Sequence, residues 1–149
     1  MISTEEIKSL RDMTGLSVME CKKALEEAGG DKDKAIAILK EKGASFAAKK
    51  GDRNLGSGAV SAYIHASGTV GAMIELLCET DFVAKNPEFK AVAYDIAMHI
   101  TAMRPESKED LLEQAFIKDS SKTISDIING TVQKFGERTE VGQFTVFSI

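Results

Sequence analysis

Near residue 59 the spacing of apolar residues changes period, and that switch limits what the chain can fold into. Before it, apolar side chains recur every three or four residues, the pattern of helices with one buried face. After it, Val60, Ile64 and the small Ala62 and Ala66 alternate with Ser61, Tyr63, His65 and Ser67. A period of two places successive side chains on opposite faces of a strand. Ser67-Gly68-Thr69 reads as a hairpin turn. The returning strand has Ala72, Ile74, Leu76 and Cys78 on one face and Met73, Glu75, Leu77 and Glu79 on the other. Helices first and paired strands afterwards predict an α+β protein.

The helical part divides into three. Ser3 and Glu6 form a capping box ahead of Ile7, Leu10 and Met13, with a stop at Gly15. Ser17 and Glu20 repeat the device, and Val18, Cys21, Leu25 and Ala28 form a stripe that ends at Gly29-Gly30. Asp31 caps a third helix through Ala35, Ile36, Ile38 and Leu39, with Gly43 near its end. Residues 1–43 thus form a three-helix unit. Residues 44–58 are a connection: Ala-Ser-Phe-Ala-Ala-Lys-Lys can prolong the third helix, whereas Gly-Asp-Arg-Asn-Leu-Gly-Ser-Gly breaks regular structure.

Residues 59–149 hold the second unit, a small three-stranded antiparallel sheet packed with helices. Asn86-Pro87 is a cap followed by proline at the first helical position. Phe89, Val92, Ala93, Ile96, Ala97 and Ile100 then keep helical spacing as far as Arg104-Pro105. Ser107 and Asp110 start a short helix carrying Leu111, Leu112 and Phe116, and another carries Ile124, Ile127, Ile128 and Val132. The tail from Val141 is the third strand, with Phe144 and Val146 on one face and Phe147 and Ile149 on the other. At a sheet edge one of those sets would lie open to pairing. Either the strand is central or a second subunit covers it.

Composition removes several function classes. The chain has 149 residues and a net charge of −4, with a pI near 5.3. Phosphate binding needs a basic footprint, so nucleic acid is not the direct partner. No basic start leads into an apolar run, and no apolar stretch reaches the ~20 residues of a membrane helix. Cys21 and Cys78 stand apart, as reduced thiols of a cytoplasmic protein do. His65 and His99 are the only histidines, and neither has ligands at metal spacing. No phosphate-binding loop or dinucleotide fingerprint is present. The expectation is a chain without a cofactor or metal that is not an enzyme.

The remaining candidate is the junction Thr-Asp-Phe-Val-Ala-Lys-Asn at 80–86, where a strand passes into a helix. Such a connection lies at the surface and can present a carboxylate beside an aromatic ring. Two arrangements fit the local residues. Phe82 tucks under the next helix while Asp81 caps backbone amides, or both face outward.

This junction strongly resembles a motif of the elongation factor Ts family, the nucleotide exchange factors of elongation factor Tu. The segment 10–31, Leu-Arg-Asp-Met-Thr-Gly-Leu-Ser-Val-Met-Glu-Cys-Lys-Lys-Ala-Leu-Glu-Glu-Ala-Gly-Gly-Asp, resembles that family's opening module. Ala-Met-His-Ile-Thr-Ala-Met-Arg-Pro-Glu at 97–106 resembles a stretch of its core. Gly-Thr-Val-Gln-Lys-Phe and the final Gly-Gln-Phe-Thr-Val resemble its closing part. Longer members carry a duplicated core, and here the 80–86 region runs almost directly into the 97–106 segment, as if one copy were removed. Short members resemble half of that architecture and dimerise through their sheets.

The resemblance implies that this chain binds elongation factor Tu and promotes GDP release. Phe82 would be a wedge near the partner's Mg²⁺ site, Asp81 would compete for contacts there, and Thr80 and Val83 would shape the tip. The opening module, similar in size and capping to ubiquitin-associated (UBA-like) domains, would grip the GTPase through Arg11, Val18, Met19 and Lys22. From the residues alone, Val18 equally suits the module's core, whereas Met19 lies off the apolar stripe. His99 matches a family position near the core contact. The resemblance also implies a homodimer. A helical adaptor without exchange activity is the competing reading.

Overall fold

The computed structural model describes all 149 residues. It opens with α1 (Thr4–Thr14), α2 (Val18–Glu27) and α3 (Lys32–Lys49). Ser3 and Ser17 each accept the backbone N–H three residues on, and Glu6 and Glu20 return the bond, so both expected capping boxes form. Gly15 ends α1 in the left-handed region at φ 69°, a conformation that costs glycine little. Leu10, Leu16, Cys21, Ala24, Leu25, Ala35 and Leu39 make a small core of their own.

Gly43 does not end α3, which takes the longer course the sequence allowed, through Ala44, Phe46 and Ala47 to Lys49. Gly43 is buried where α3 crosses a later helix, and a Cβ there would lie 2.9 Å from Gln133 Oε1. Its missing side chain serves a close helix crossing rather than a helix end.

Strands β1 (Ser57–Ile64) and β2 (Val70–Cys78) form the expected hairpin, with Ser61 opposite Ile74 and Tyr63 opposite Ala72. One short turn, α4 (Asp81–Ala84), leads into the long α5 (Pro87–Met103), capped by Asn86. Then come α6 (Lys108–Glu113), β3 (Ala115–Phe116), β4 (Asp119–Thr123), α7 (Ile124–Phe135) and β5 (Glu140–Ser148). Phe116 is not on the short helix; it sits in the β3–β4 hairpin, which sequence reading missed. That hairpin is short, and β4 is wholly polar, so it shows no apolar alternation to find.

The main sheet has the order β1-β2-β5, all antiparallel. The last strand is therefore an edge strand, which excludes the central placement. Ala72, Ile74, Leu76 and Cys78 face inward onto Phe89, Ala93, Ile96 and Ile100 of α5, and Phe144 and Val146 pack against the same core. The other sheet face has no covering layer. Val60, Ile64, Met73, Phe147 and Ile149 are all exposed there.

The two units touch along α3 and α7. Lys40 pairs with Asp126 at 3.6 Å and donates to the Ser121 carbonyl at 2.7 Å. Gln133 of α7 reaches Glu20 of α2 at 3.2 Å.

Candidate partner-binding site

The junction after β2 is built by short-range bonds and then tied down from far along the chain. Thr80 is extended (φ −127°, ψ 154°) and its hydroxyl accepts the Val83 N–H, so Thr80 and not Asp81 is the cap of α4. Ala84 N–H returns to the Thr80 carbonyl at 3.1 Å and Lys85 N–H to that of Asp81 at 3.0 Å, closing one helical turn. Val83 and Ala84 point inward and are buried. A single turn with two residues anchored inside must point its opposite side at solvent. Phe82 lies on that side, with 86% of its surface exposed. The outward arrangement of the two that the sequence allowed is the one the fold adopts. Asp81 is exposed too, and its carboxylate accepts the Ser57 hydroxyl at the start of β1. Val83 anchors the turn and does not line its surface.

Glu137 and Glu79 complete the junction, and sequence reading named neither as a site residue. One oxygen of Glu137 accepts the backbone N–H groups of Glu79 and Thr80, at 3.1 and 3.0 Å. The other accepts the Thr80 hydroxyl at 2.7 Å. The Glu79 carboxylate answers by accepting the Arg138 N–H at 2.6 Å. Arg53 sits 3.4 Å from Glu79, and Arg138 donates to the Arg53 carbonyl at 2.6 Å. Gly136 at φ 72° ends α7 and turns the chain so that Glu137 follows the helix directly. No sequence signal links Glu137 to Thr80, since a pairing across 57 positions has no local period.

Cys78 lies under this junction. Burial raises its thiol pKa, and the nearby carboxylates of Glu137 and Asp81 push the same way. The thiol therefore stays protonated at neutral pH and is no nucleophile.

In the N-terminal module, α2 begins with two exposed apolar residues. Val18 is 49% and Met19 60% exposed, so Val18 lies outside the module core that its stripe had allowed. Arg11 and Lys22 are exposed too, with Lys22 in a loose pair with Glu26 at 3.9 Å. All four residues are thus exposed, Arg11 in the last turn of α1 and the other three in the first half of α2.

His99 does not join either group. It is fully buried, its Nδ1 accepts the Ile117 N–H at 3.3 Å, and its Nε2 is 2.9 Å from Gln114 Oε1. A backbone N–H can only donate, so Nδ1 is the bare nitrogen and Nε2 carries the proton toward Gln114. Burial holds its pKa below the usual histidine value, with the Gln114 bond acting weakly against it. In this conformation the ring supports the β3–β4 hairpin and offers no free group to a partner.

The structure thus exposes Phe82 on a short turn and Val18 and Met19 at a helix start. The model of the family described as elongation factor TS matches residues 2–107 and again 79–149, together nearly the whole chain. The chain belongs to the elongation factor Ts family. The elongation factor Ts of Leptospira biflexa is 40% identical over 193 aligned positions, which span 99% of this chain and 98% of that protein. Those of Desulforamulus reducens and Thermotoga petrophila are 39% and 38% identical, again over 99% of this chain. They span 89% and 96% of those proteins. An alignment of 193 positions holds at most 149 residues of this chain, so at least 44 positions of the Leptospira protein face a gap. The family places the chain among the proteins of translation elongation. No helix in it is long and apolar enough to cross a membrane.

Proposed function

We propose that this chain is a guanine-nucleotide exchange factor for elongation factor Tu, acting in the cytoplasm by binding and not by chemical catalysis. The observation that carries this reading is Phe82, a large apolar ring held almost fully in solvent by a turn whose other side is buried. An aromatic wedge keeps a partner pocket open at little entropic cost, because the ring has few torsions to lose. Thr80 and Val83 hold the turn from below, and Asp81 brings a negative charge to the region where the partner keeps Mg²⁺ and phosphate. Disturbing that ion leaves the phosphates less neutralised, and GDP departs. By linkage, a factor that prefers the nucleotide-free partner weakens GDP by the same factor. The module of residues 1–43 grips the GTPase through Arg11, Val18, Met19 and Lys22. His99 contributes by supporting the core behind the contact.

A second copy of this chain covers the open sheet face. Val60, Ile64, Met73, Phe147 and Ile149 form an exposed apolar surface, which is commonly a protein contact. Sedimentation at micromolar concentration should give twice the chain mass, and a monomer mass would remove this part.

The test of exchange is release of a fluorescent GDP from elongation factor Tu, followed by stopped flow. The chain should accelerate release and Phe82→Ala should lose most of that acceleration with an unchanged circular dichroism spectrum. Acceleration undiminished in Phe82→Ala and Asp81→Ala would sink the wedge assignment.

A further inference from the structure

Two surface features far apart in sequence are tied to the C-terminal end of one helix, one to its last turn and one just beyond it. Glu20 is the capping-box residue at the start of α2, and the oxygen it does not use for Ser17 accepts from Gln133 of α7 at 3.2 Å. Just past the end of α7, Glu137 accepts three hydrogen bonds from Glu79 and Thr80. The start of α2 carries Val18 and Met19, and Thr80 opens the turn that carries Phe82. Gln133 and Glu137 are four residues apart, with Gly136 ending the helix between them.

We propose that Glu137 is a positioning residue for nucleotide exchange, and that α7 is the strut that sets the Phe82 turn relative to the α2 grip. The inference rests on the exchange reading above. Val83 and Ala84 fix which way the turn faces. They do not fix its angle, because α4 is only four residues long and frays easily without outside support. Glu137 supplies that support. It binds the two backbone N–H groups that precede the turn and the hydroxyl that caps it, all with one carboxylate. Charge-assisted bonds of this kind are short and directional. Glu137 lies two residues past the end of α7, and Gln133 in the last turn of that helix holds Glu20, so the turn and the grip are referenced to the same helix end. A wedge that swings freely would still let the module bind, but it would enter the partner's pocket in only a fraction of complexes. The maximal rate of GDP release would then fall with the half-saturating concentration little changed.

Gln is nearly isosteric with Glu and can keep all three contacts. Its carbonyl accepts both backbone N–H groups, and its amide donates to the Thr80 hydroxyl. Ala keeps none. The experiment measures fluorescent-GDP release from elongation factor Tu against factor concentration for the full chain and for Glu137→Ala, Glu137→Gln, Phe82→Ala and the double variant Glu137→Ala/Phe82→Ala. Amide hydrogen exchange at Glu79 and Thr80 is followed in the free proteins.

Glu137→Ala should lower the maximal rate about tenfold, equivalent to roughly 1.4 kcal/mol, at a half-saturating concentration within about twofold of the parent. Glu137→Gln should retain most of the rate. The double variant should be no slower than Phe82→Ala alone, since an absent ring cannot be mispositioned. The Glu79 and Thr80 amides should exchange faster in Glu137→Ala while the α5 amides keep their protection. If Glu137→Ala exchanges nucleotide like the parent while Phe82→Ala is slow, the positioning role is wrong and the exchange reading stands. If the α5 amides also lose protection, or the loss is all in half-saturation, the residue is merely structural and the proposal falls. If the parent chain accelerates nothing, both fall together.

Discussion

The start of α2 and the start of α4 are two versions of one device. Each is a helix opening with a hydroxyl cap, Ser17 in one and Thr80 in the other, and each exposes an apolar side chain just beyond the cap. They differ in where the stabilising carboxylate comes from. For α2 it is Glu20, three residues on, so the box closes within the helix itself. For α4 it is Glu137, which reaches the cap from 57 residues away. The first arrangement holds a ten-residue helix that can stand by itself on its module. The second holds a single turn that is otherwise fixed only by the burial of Val83 and Ala84 and by the Ser57–Asp81 bond.

This contrast can be broken by measurement. The largest effect is expected at Phe82. An exposed anchor of this kind contributes about 2 kcal/mol or more where it docks, so Phe82→Ala should slow stimulated GDP release by roughly 30-fold. Its stability should move by no more than about 0.5 kcal/mol, since the ring is in solvent. Urea unfolding alongside the stopped-flow assay separates the two, and a large stability loss would mean that the ring packs somewhere.

Thr80→Val should come next. It keeps the shape and removes the hydroxyl that both caps Val83 and donates to Glu137, costing about 1–3 kcal/mol by leaving partly buried groups unpaired. Ser17→Ala should cost less, about 1 kcal/mol, the usual value of a lost cap. If the two starts are stabilised as described, hydrogen exchange should report the Ser17 change within residues 1–43, and the Thr80 change in both the turn and the residues after α7. Equal, purely local responses would erase the distinction.

The smallest effect is a pH dependence away from both starts. His99 is buried and its pKa lies below the unfolded value of about 6.5. The unfolded chain therefore binds a proton before the folded chain does. Stability supplied by neutral His99 is present above pH ~6.5 and is lost as pH falls through the folded pKa. Urea midpoints between pH 7.5 and 5 should decline, and His99→Gln should flatten the decline. A decline unchanged in that variant would assign it to other groups.

Much of the fold was legible before any coordinates. Ser3, Ser17, Asp31 and Asn86 announce helix starts because capping is satisfied within three residues, and a period of two announces β1 and β2. On β1, however, the apolar Val60 and Ile64 lie on the open face, and Ala59 and Tyr63 pack on the core. The end of α3 was left between Gly43 and the 44–50 segment, because Gly43 looks the same as a stop or as a close crossing until α7 lies against it. The β3–β4 hairpin was hidden because its strands carry almost no apolar alternation. Of the site, Arg11, Met19, Lys22, Asp81 and Phe82 were named from sequence and resemblance, and all are exposed. Val83 and His99 are interior.

The sequence by itself determined that a junction with an aromatic would sit between β2 and α5. It left open whether Phe82 pointed in or out, since a one-turn helix has no period long enough to declare a face. Tertiary structure decided that by burying Val83 and Ala84 against the core. It also brought Glu137 onto Thr80, a contact no local pattern encodes, because hydrogen bonds between distant segments depend only on where packing delivers them.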